Sequence, residues 1–270
     1  MISYISAKQR AMFGAGIVSK KMPPRFGIIS RTKCTGLIEM NAPSKNTIQA
    51  VALIKFFTEE AHFLAFKNGH TIFRTPHYYR MHESTGRGDR SESCFGYWDR
   101  GLGDELPNII KDGTQLDLQS AKSVLIYPVQ EQSDSWLQSW CIVGPQNNFE
   151  SSLQRMIEEF GTYFVVMRAA KIEAYVNLLN EASGLSVGYG SIRYANNPFD
   201  RSLTTKDSAF SYQKELRFYV GECDKNEIQD RNIQIDGLGS ILSEAASLKL
   251  TSPSGENRYC TLGRKEVVIG

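Results

Sequence analysis

Ser208-Ala-Phe-Ser-Tyr-Gln-Lys-Glu-Leu-Arg-Phe-Tyr-Val220 reads as a strand. Phe210, Tyr212, Leu216, Phe218, Tyr219 and Val220 run without an intervening Gly or Pro, the composition of a pleated, half-buried surface. Gln213, Lys214, Glu215 and Arg217 are threaded through it. Strand side chains alternate between faces, so Gln213, Glu215 and Arg217 share one face, opposite Tyr212, Lys214, Phe218 and Val220. Side chains two residues apart project in parallel, roughly 6.5–7 Å apart along the strand. Two readings follow. Gln213 and Glu215 grip one small ligand, or the segment is an edge strand with a solvated polar face and a Glu–Arg pair.

Upstream, the first well-marked unit is strand, helix, strand. Residues 51–57 form a buried-type strand. Thr58 is a plausible N-cap followed by Glu59 and Glu60, and residues 59–68 form a short helix closed by Gly69. Residues 71–76 form the next strand, ended by Pro76. The size allows a βαβ unit. Residues 77–92 then read as a polar-aromatic loop with two His, two Tyr and three Arg, the kind of segment that carries sites. Further strands are expected at 122–129, 136–143, 163–167, 185–194, 228–235, 259–262 and 266–269. Helices are expected at 149–160, 168–181 and within 236–248. Trp136 and Trp140 share a face and read as core. The pattern predicts a single α+β domain over residues 47–270, with mixed or mainly antiparallel sheets. Residues 1–46 precede it as an irregular extension with short strands at 26–29 and 37–40.

The chain has 270 residues and a net charge of +2, so no polyelectrolyte argument follows from the whole. Residues 1–38, however, carry Lys8, Arg10, Lys20, Lys21, Arg25, Arg31 and Lys33 and no acid. Such an arm suits phosphates, or is a disordered leader. Cys34, Cys94, Cys141, Cys223 and Cys260 are isolated, which argues against a zinc site and for a reducing compartment. No apolar run reaches the roughly 18 residues of a membrane span, and the start lacks a signal-peptide core. The expectation is a cytoplasmic protein without a membrane partner.

Common enzyme signatures are missing, including GxGxxG after a strand, GxxxxGK[ST] and HExxH. Gly184-Leu-Ser-Val-Gly188 matches GxSxG in letters, but it joins a helix to a strand, the reverse of a nucleophile elbow. His77 and His82 are five apart and would need further ligands to hold a metal. No metal ligand is assigned.

Gln213-Lys-Glu215 on a late strand resembles the catalytic motif of the arginine–serine–glutamate branch of the ADP-ribosyltransferases. The passage from Thr75 through His77, Tyr78, Tyr79, Arg80 and His82 to Glu92, with Tyr212–Arg217, is also similar to uncharacterised bacterial proteins linked to toxin–antitoxin and phage-defence loci. The resemblance implies an NAD-dependent transferase with NAD as substrate. Glu215 would be catalytic and Gln213 would orient the ribose or the acceptor. Arg74, Arg80 or Lys55 would be the first-motif residue that contacts NAD, with Thr75 beside it and Tyr78 or Tyr79 stacked on the nicotinamide. The family's middle Ser-Thr-Ser motif is not visible; Gly161-Thr-Tyr163 is nearest. Breaking the nicotinamide–ribose bond develops an oxocarbenium-like centre, as in glycoside hydrolysis, and a carboxylate beside it stabilises that charge. The acceptor would be nucleic acid or protein, and a toxin of this kind implies a neutralising partner. Two other readings stand: a non-catalytic nucleic-acid- or protein-binding module, and a nuclease using Asp89, Glu92 and Glu215 around a metal ion.

Overall fold

A computed structural model describes residues 2–6, 50–82, 88–144, 149–251 and 255–270. The basic arm, its short strands at 26–29 and 37–40, and Arg87 lie outside the described residues.

The chain opens with β1 (Ile2–Ser6), then β2 (Ala52–Phe57), α1 (Glu60–Lys67), β3 (His70–Phe73) and α2 (Pro76–Met81). β4 (Gly96–Asp99), the small hairpin β5 (Ile110–Lys111) and β6 (Thr114–Gln115), β7 (Ser123–Tyr127) and β8 (Asp134–Val143) follow. Next come α3 (Phe149–Phe160), β9 (Tyr163–Arg168) and α4 (Ile172–Ser183). Short strands β10 (Val187–Ser191), β11 (Arg193–Ala195) and β12 (Thr205–Asp207) lead to β13 (Glu215–Cys223) and β14 (Arg231–Gln234). The end is a meander, β15 (Ser247–Thr251), β16 (Asn257–Thr261) and β17 (Val267–Ile269).

The architecture is mixed α/β, with few helices and mostly small antiparallel sheets. The central sheet has the order β10-β13-β8-β2-β9 and is antiparallel throughout. Parallel pairing occurs between β1 and β7 and between β11 and β12. The start of the expected extension thus contributes a strand to the β1-β7-β4 sheet.

One face of the central sheet is a dry core. Leu53, Trp140, Leu216, Phe218 and Val220 meet Phe66, Tyr175 and Leu179 of α1 and α4 there. On the other face, Ile54, Cys141 and Phe164 pack on Leu153, Met156 and Ile157 of α3 and on Cys260 of the C-terminal meander.

Five expectations are corrected. Residues Ser208–Gln213 are a 3₁₀ helix, Lys214 is left-handed at φ 44°, and the strand begins only at Glu215. The Asp207 carboxylate accepts from the Ala209 N–H and starts that helix, so its aromatic alternation misled. β13 is also no edge strand, because β10 and β8 flank it. The β2-α1-β3 unit is not βαβ: β3 pairs antiparallel with β14, about 160 residues downstream. Pro76 starts a helix rather than ending a strand. It stands at the first helical position, where its missing N–H costs nothing, and Thr75 caps α2 by accepting from the Tyr78 N–H at 3.1 Å. The helix expected within 236–248 is only a 3₁₀ turn, Leu238–Ile241.

Candidate functional site

β2 and β8 pair only from Ala52–Val143 to Ile54–Cys141. Beyond that, residues 55–57 stay with β9, while β8 continues along β13 and meets Arg74 through a single bridge at Leu137. A cavity of about 590 Å³ occupies the split, within the roughly 300–1,000 Å³ of small-molecule sites. Its lining comes from both faces of the sheet. Lys55, Phe57, Phe66, Gln138 and Trp140 belong to the core face; Ser139, Cys141, Glu215 and Arg217 belong to the other. The Lys55 ammonium spans the split and donates to the Ser139 carbonyl at 3.2 Å.

At the second face lies a buried charged cluster. Register sets Glu215, Arg217 and Tyr219 of β13 side by side with Cys141, Ser139 and Leu137 of β8. Arg217, 1% exposed, holds Glu92 bidentately at 2.6 and 2.8 Å and donates to Glu215 through Nε. Lys206 of β12 donates to Gln213 Oε1 and Glu215 Oε2, both at 3.1 Å, and stands 3.7 Å from Glu92. Ser139 Oγ donates to Glu215 Oε1. Gln213 and Glu215 therefore do converge, though through Lys206 and not as neighbours on a pleat. Burial opposes charge on Glu215, yet Arg217, Lys206 and the hydrogen bonds from Arg217 and Ser139 hold its carboxyl well below the usual carboxylate range. Such a group stays ionised: it stabilises a neighbouring cation and does not donate a proton. The Cys141 thiol is pushed by burial up to about 12, which makes it a poor nucleophile at neutral pH.

Comparison with protein-family models, curated proteins and solved structures found no match. The site is therefore read from its own chemistry.

Of the residues expected to meet NAD, Lys55, Arg74 and Tyr79 line the cavity together with Gln213 and Glu215. Thr75, Tyr78 and Arg80 do not. Thr75 is fully buried, caps α2 and donates to the Glu227 carbonyl. The Tyr78 ring lies between the His82 imidazole, at 4.0 Å, and the Arg74 guanidinium, at 4.2 Å. Arg80 is fully buried; it donates to the carbonyls of Glu92 and Lys225 and to His77 Nδ1, and sits 3.5 Å from Asp134. These three hold α2 and the 89–93 turn in place, so that Arg74, Tyr79 and Glu92 face the cavity.

Glu92 and Glu215 carry Arg217 and Lys206 between them. Among the described residues no cluster of three or more His, Cys, Asp or Glu is arranged to hold a metal ion. Sequence reasoning missed Lys206, Ser139 and Gln138. Lys206 lay in a polar loop without periodicity. Gln138 was hidden between two core tryptophans, although a Gln there is itself an unusual residue for a dry face. Gly184 is the left-handed C-cap of α4, which places Ser186 in an ordinary helix–strand turn and in no elbow. No helix among the described residues is long and apolar enough to cross a membrane.

Proposed function

We propose that the cleft binds NAD and transfers its ADP-ribose, with the central sheet as an ADP-ribosyltransferase-like core. One observation carries this reading: an ionised carboxylate, Glu215, lines a ligand-sized cavity at the first residue of a central strand, with Gln213 beside it. In the reaction the bond between nicotinamide and ribose C1′ breaks, and its electron pair leaves with the nicotinamide. A lone pair of the acceptor forms the new bond to C1′, and the acceptor's proton passes to solvent. Glu215 offsets the positive charge that develops on the ribose. Gln213 orients the sugar or the acceptor. Lys55 and Arg74 face the diphosphate, and Tyr79 offers a ring for the nicotinamide. Thr75, Tyr78 and Arg80 support these groups from behind. The acceptor is a nucleic acid or a protein, and a bacterial toxin or defence effector with a neutralising partner is the setting that fits.

The test is nicotinamide release from NAD by the full chain. Glu215→Gln should abolish release while the melting temperature still responds to NAD. Full release by that variant would overturn the reading. A second reading is favoured by the closure of the cluster, in which Arg217, Lys206 and Ser139 already hold both Glu215 oxygens. In that reading the carboxylate is structural and the chain is a non-catalytic binding module. NAD then raises the melting temperature of the unmodified protein and no nicotinamide appears.

A further inference from the structure

Gln138 is 2% exposed and lines the cavity on the face of the sheet opposite Glu215. Its Oε1 accepts from Trp140 Nε1 at 2.9 Å and from the Tyr175 hydroxyl at 2.6 Å. An indole N–H only donates, so the amide cannot turn over without losing that bond. The orientation leaves Nε2 buried, with no acceptor among the described residues. A buried donor pair without a partner is costly in a native fold, and here the residue that carries it lines a ligand-sized space. The surroundings are aromatic: Phe66 packs edge-on against Trp140, ring centres 5.7 Å apart, and Lys55 lies 6.0 Å from the Phe66 ring centre. Lys55 itself bridges to Ser139, the neighbour of Gln138 whose side chain turns to the Glu215 face.

We propose that Gln138 reads the adenine base of the dinucleotide, its Nε2 donating to a ring nitrogen. The inference rests on the reading of the cleft as an NAD site. A purine offers both a π-face for the aromatic wall and in-plane acceptor nitrogens for a fixed amide donor. The diphosphate then passes Lys55 at the split, and the nicotinamide riboside reaches Glu215 on the far face. NAD thus threads the opened sheet from one side to the other.

The experiment measures binding of AMP, ADP-ribose and nicotinamide mononucleotide to the full chain by titration calorimetry. Gln138→Met removes the donors. Gln138→Glu keeps the acceptor that Trp140 and Tyr175 hold and replaces the N–H pair by a second oxygen, so it remains informative if the methionine variant fails to fold. The expected result is a loss of about tenfold for AMP and ADP-ribose, with nicotinamide mononucleotide unchanged. Unchanged AMP affinity, a loss confined to nicotinamide mononucleotide, or no binding of AMP by the unmodified protein overturns the proposal. AMP binding that depends on Gln138 without nicotinamide release from NAD upholds it and sinks the transferase. Nicotinamide release that Gln138→Glu leaves intact, with AMP affinity unchanged, does the reverse.

Discussion

Arg217 holds Glu92 with two guanidinium nitrogens, at 2.6 and 2.8 Å, across 125 residues of chain. Both residues are buried. Glu92→Gln keeps the shape and removes one charge, leaving Arg217 and Lys206 facing Glu215 alone. Removing one partner of a buried pair costs about 3–5 kcal/mol. Urea unfolding at neutral pH should show a loss of that order, and a change under about 0.5 kcal/mol would mean that the pair does not hold the fold.

Two buried groups give stability opposing slopes with pH. Burial, helped by Arg80, lowers His77 to about 4 from an ordinary 6.5. The unfolded chain therefore takes up a proton near 6.5 and the fold only near 4; the stability involved is complete above 6.5 and drains as pH falls towards 4. Burial, helped by Glu92, raises Asp89 to about 6 from 3.8, so its stability is complete below 3.8 and is lost as pH rises through about 6. Relative to the unmodified protein, His77→Gln should gain stability as pH is lowered from 6.5 to 4. Asp89→Asn should gain as pH is raised from 4 to 6. Denaturation midpoints across pH 4–8 check both signs, and parallel curves would refute them.

Thr75 joins α2 to the β13–β14 connection, accepting from Tyr78 N–H and donating to the Glu227 carbonyl. Thr75→Ala should destabilise by about 1–2 kcal/mol, the range for losing an N-cap. Thr75→Ser, which keeps the hydroxyl, should recover most of it. Equal losses in calorimetric melting would show that the methyl packing matters and the cap does not.

Two glycines at positive φ should respond differently to alanine. At Gly161, φ +104°, an added Cβ would meet the Phe57 carbonyl oxygen at 2.2 Å and Thr58 Cα at 2.3 Å. Both are backbone and cannot swing away. At Gly184, φ +64°, nothing lies within 4 Å, so only the left-handed conformation is penalised, by about 1–2 kcal/mol. Gly161→Ala should unfold at markedly lower urea than Gly184→Ala, and the reverse order would be evidence against the described packing of the α3–β9 turn on the end of β2.

The elements legible in the sequence are those whose burial pattern is local. α3 was expected at 149–160 and spans Phe149–Phe160 because Leu153, Met156, Ile157 and Phe160 recur at helical spacing. β9, and β2 apart from Lys55, were legible as apolar runs. What failed was non-local or hidden in a cap. Glu215 and Arg217 suggested a solvated face, yet the 89–93 turn and β12 bring Glu92 and Lys206 over them. Nothing within 208–220 encodes that cover. The strand order that separates β3 from β2 was equally invisible, since β14 supplies the partner. Thr75-Pro76, by contrast, is a local helix start that outweighed the strand pattern before it.

A cleft formed where two strands diverge is strict about charge and lenient about girth. Its width depends on where the β2–β8 ladder stops, and unzipping the last pair, Ile54 with Cys141, costs on the order of 1 kcal/mol per hydrogen bond. A bulkier guest can be admitted at that cost plus the loss of Ile54 and Cys141 packing against α3. A guest that presents a negative group to Glu215 meets a fixed like charge, although Arg217 and Lys206 stand beside it and reduce the repulsion. If the cleft takes the dinucleotide as proposed, analogues enlarged at the Lys55 end should be accepted more readily than analogues that carry an anion at the ribose.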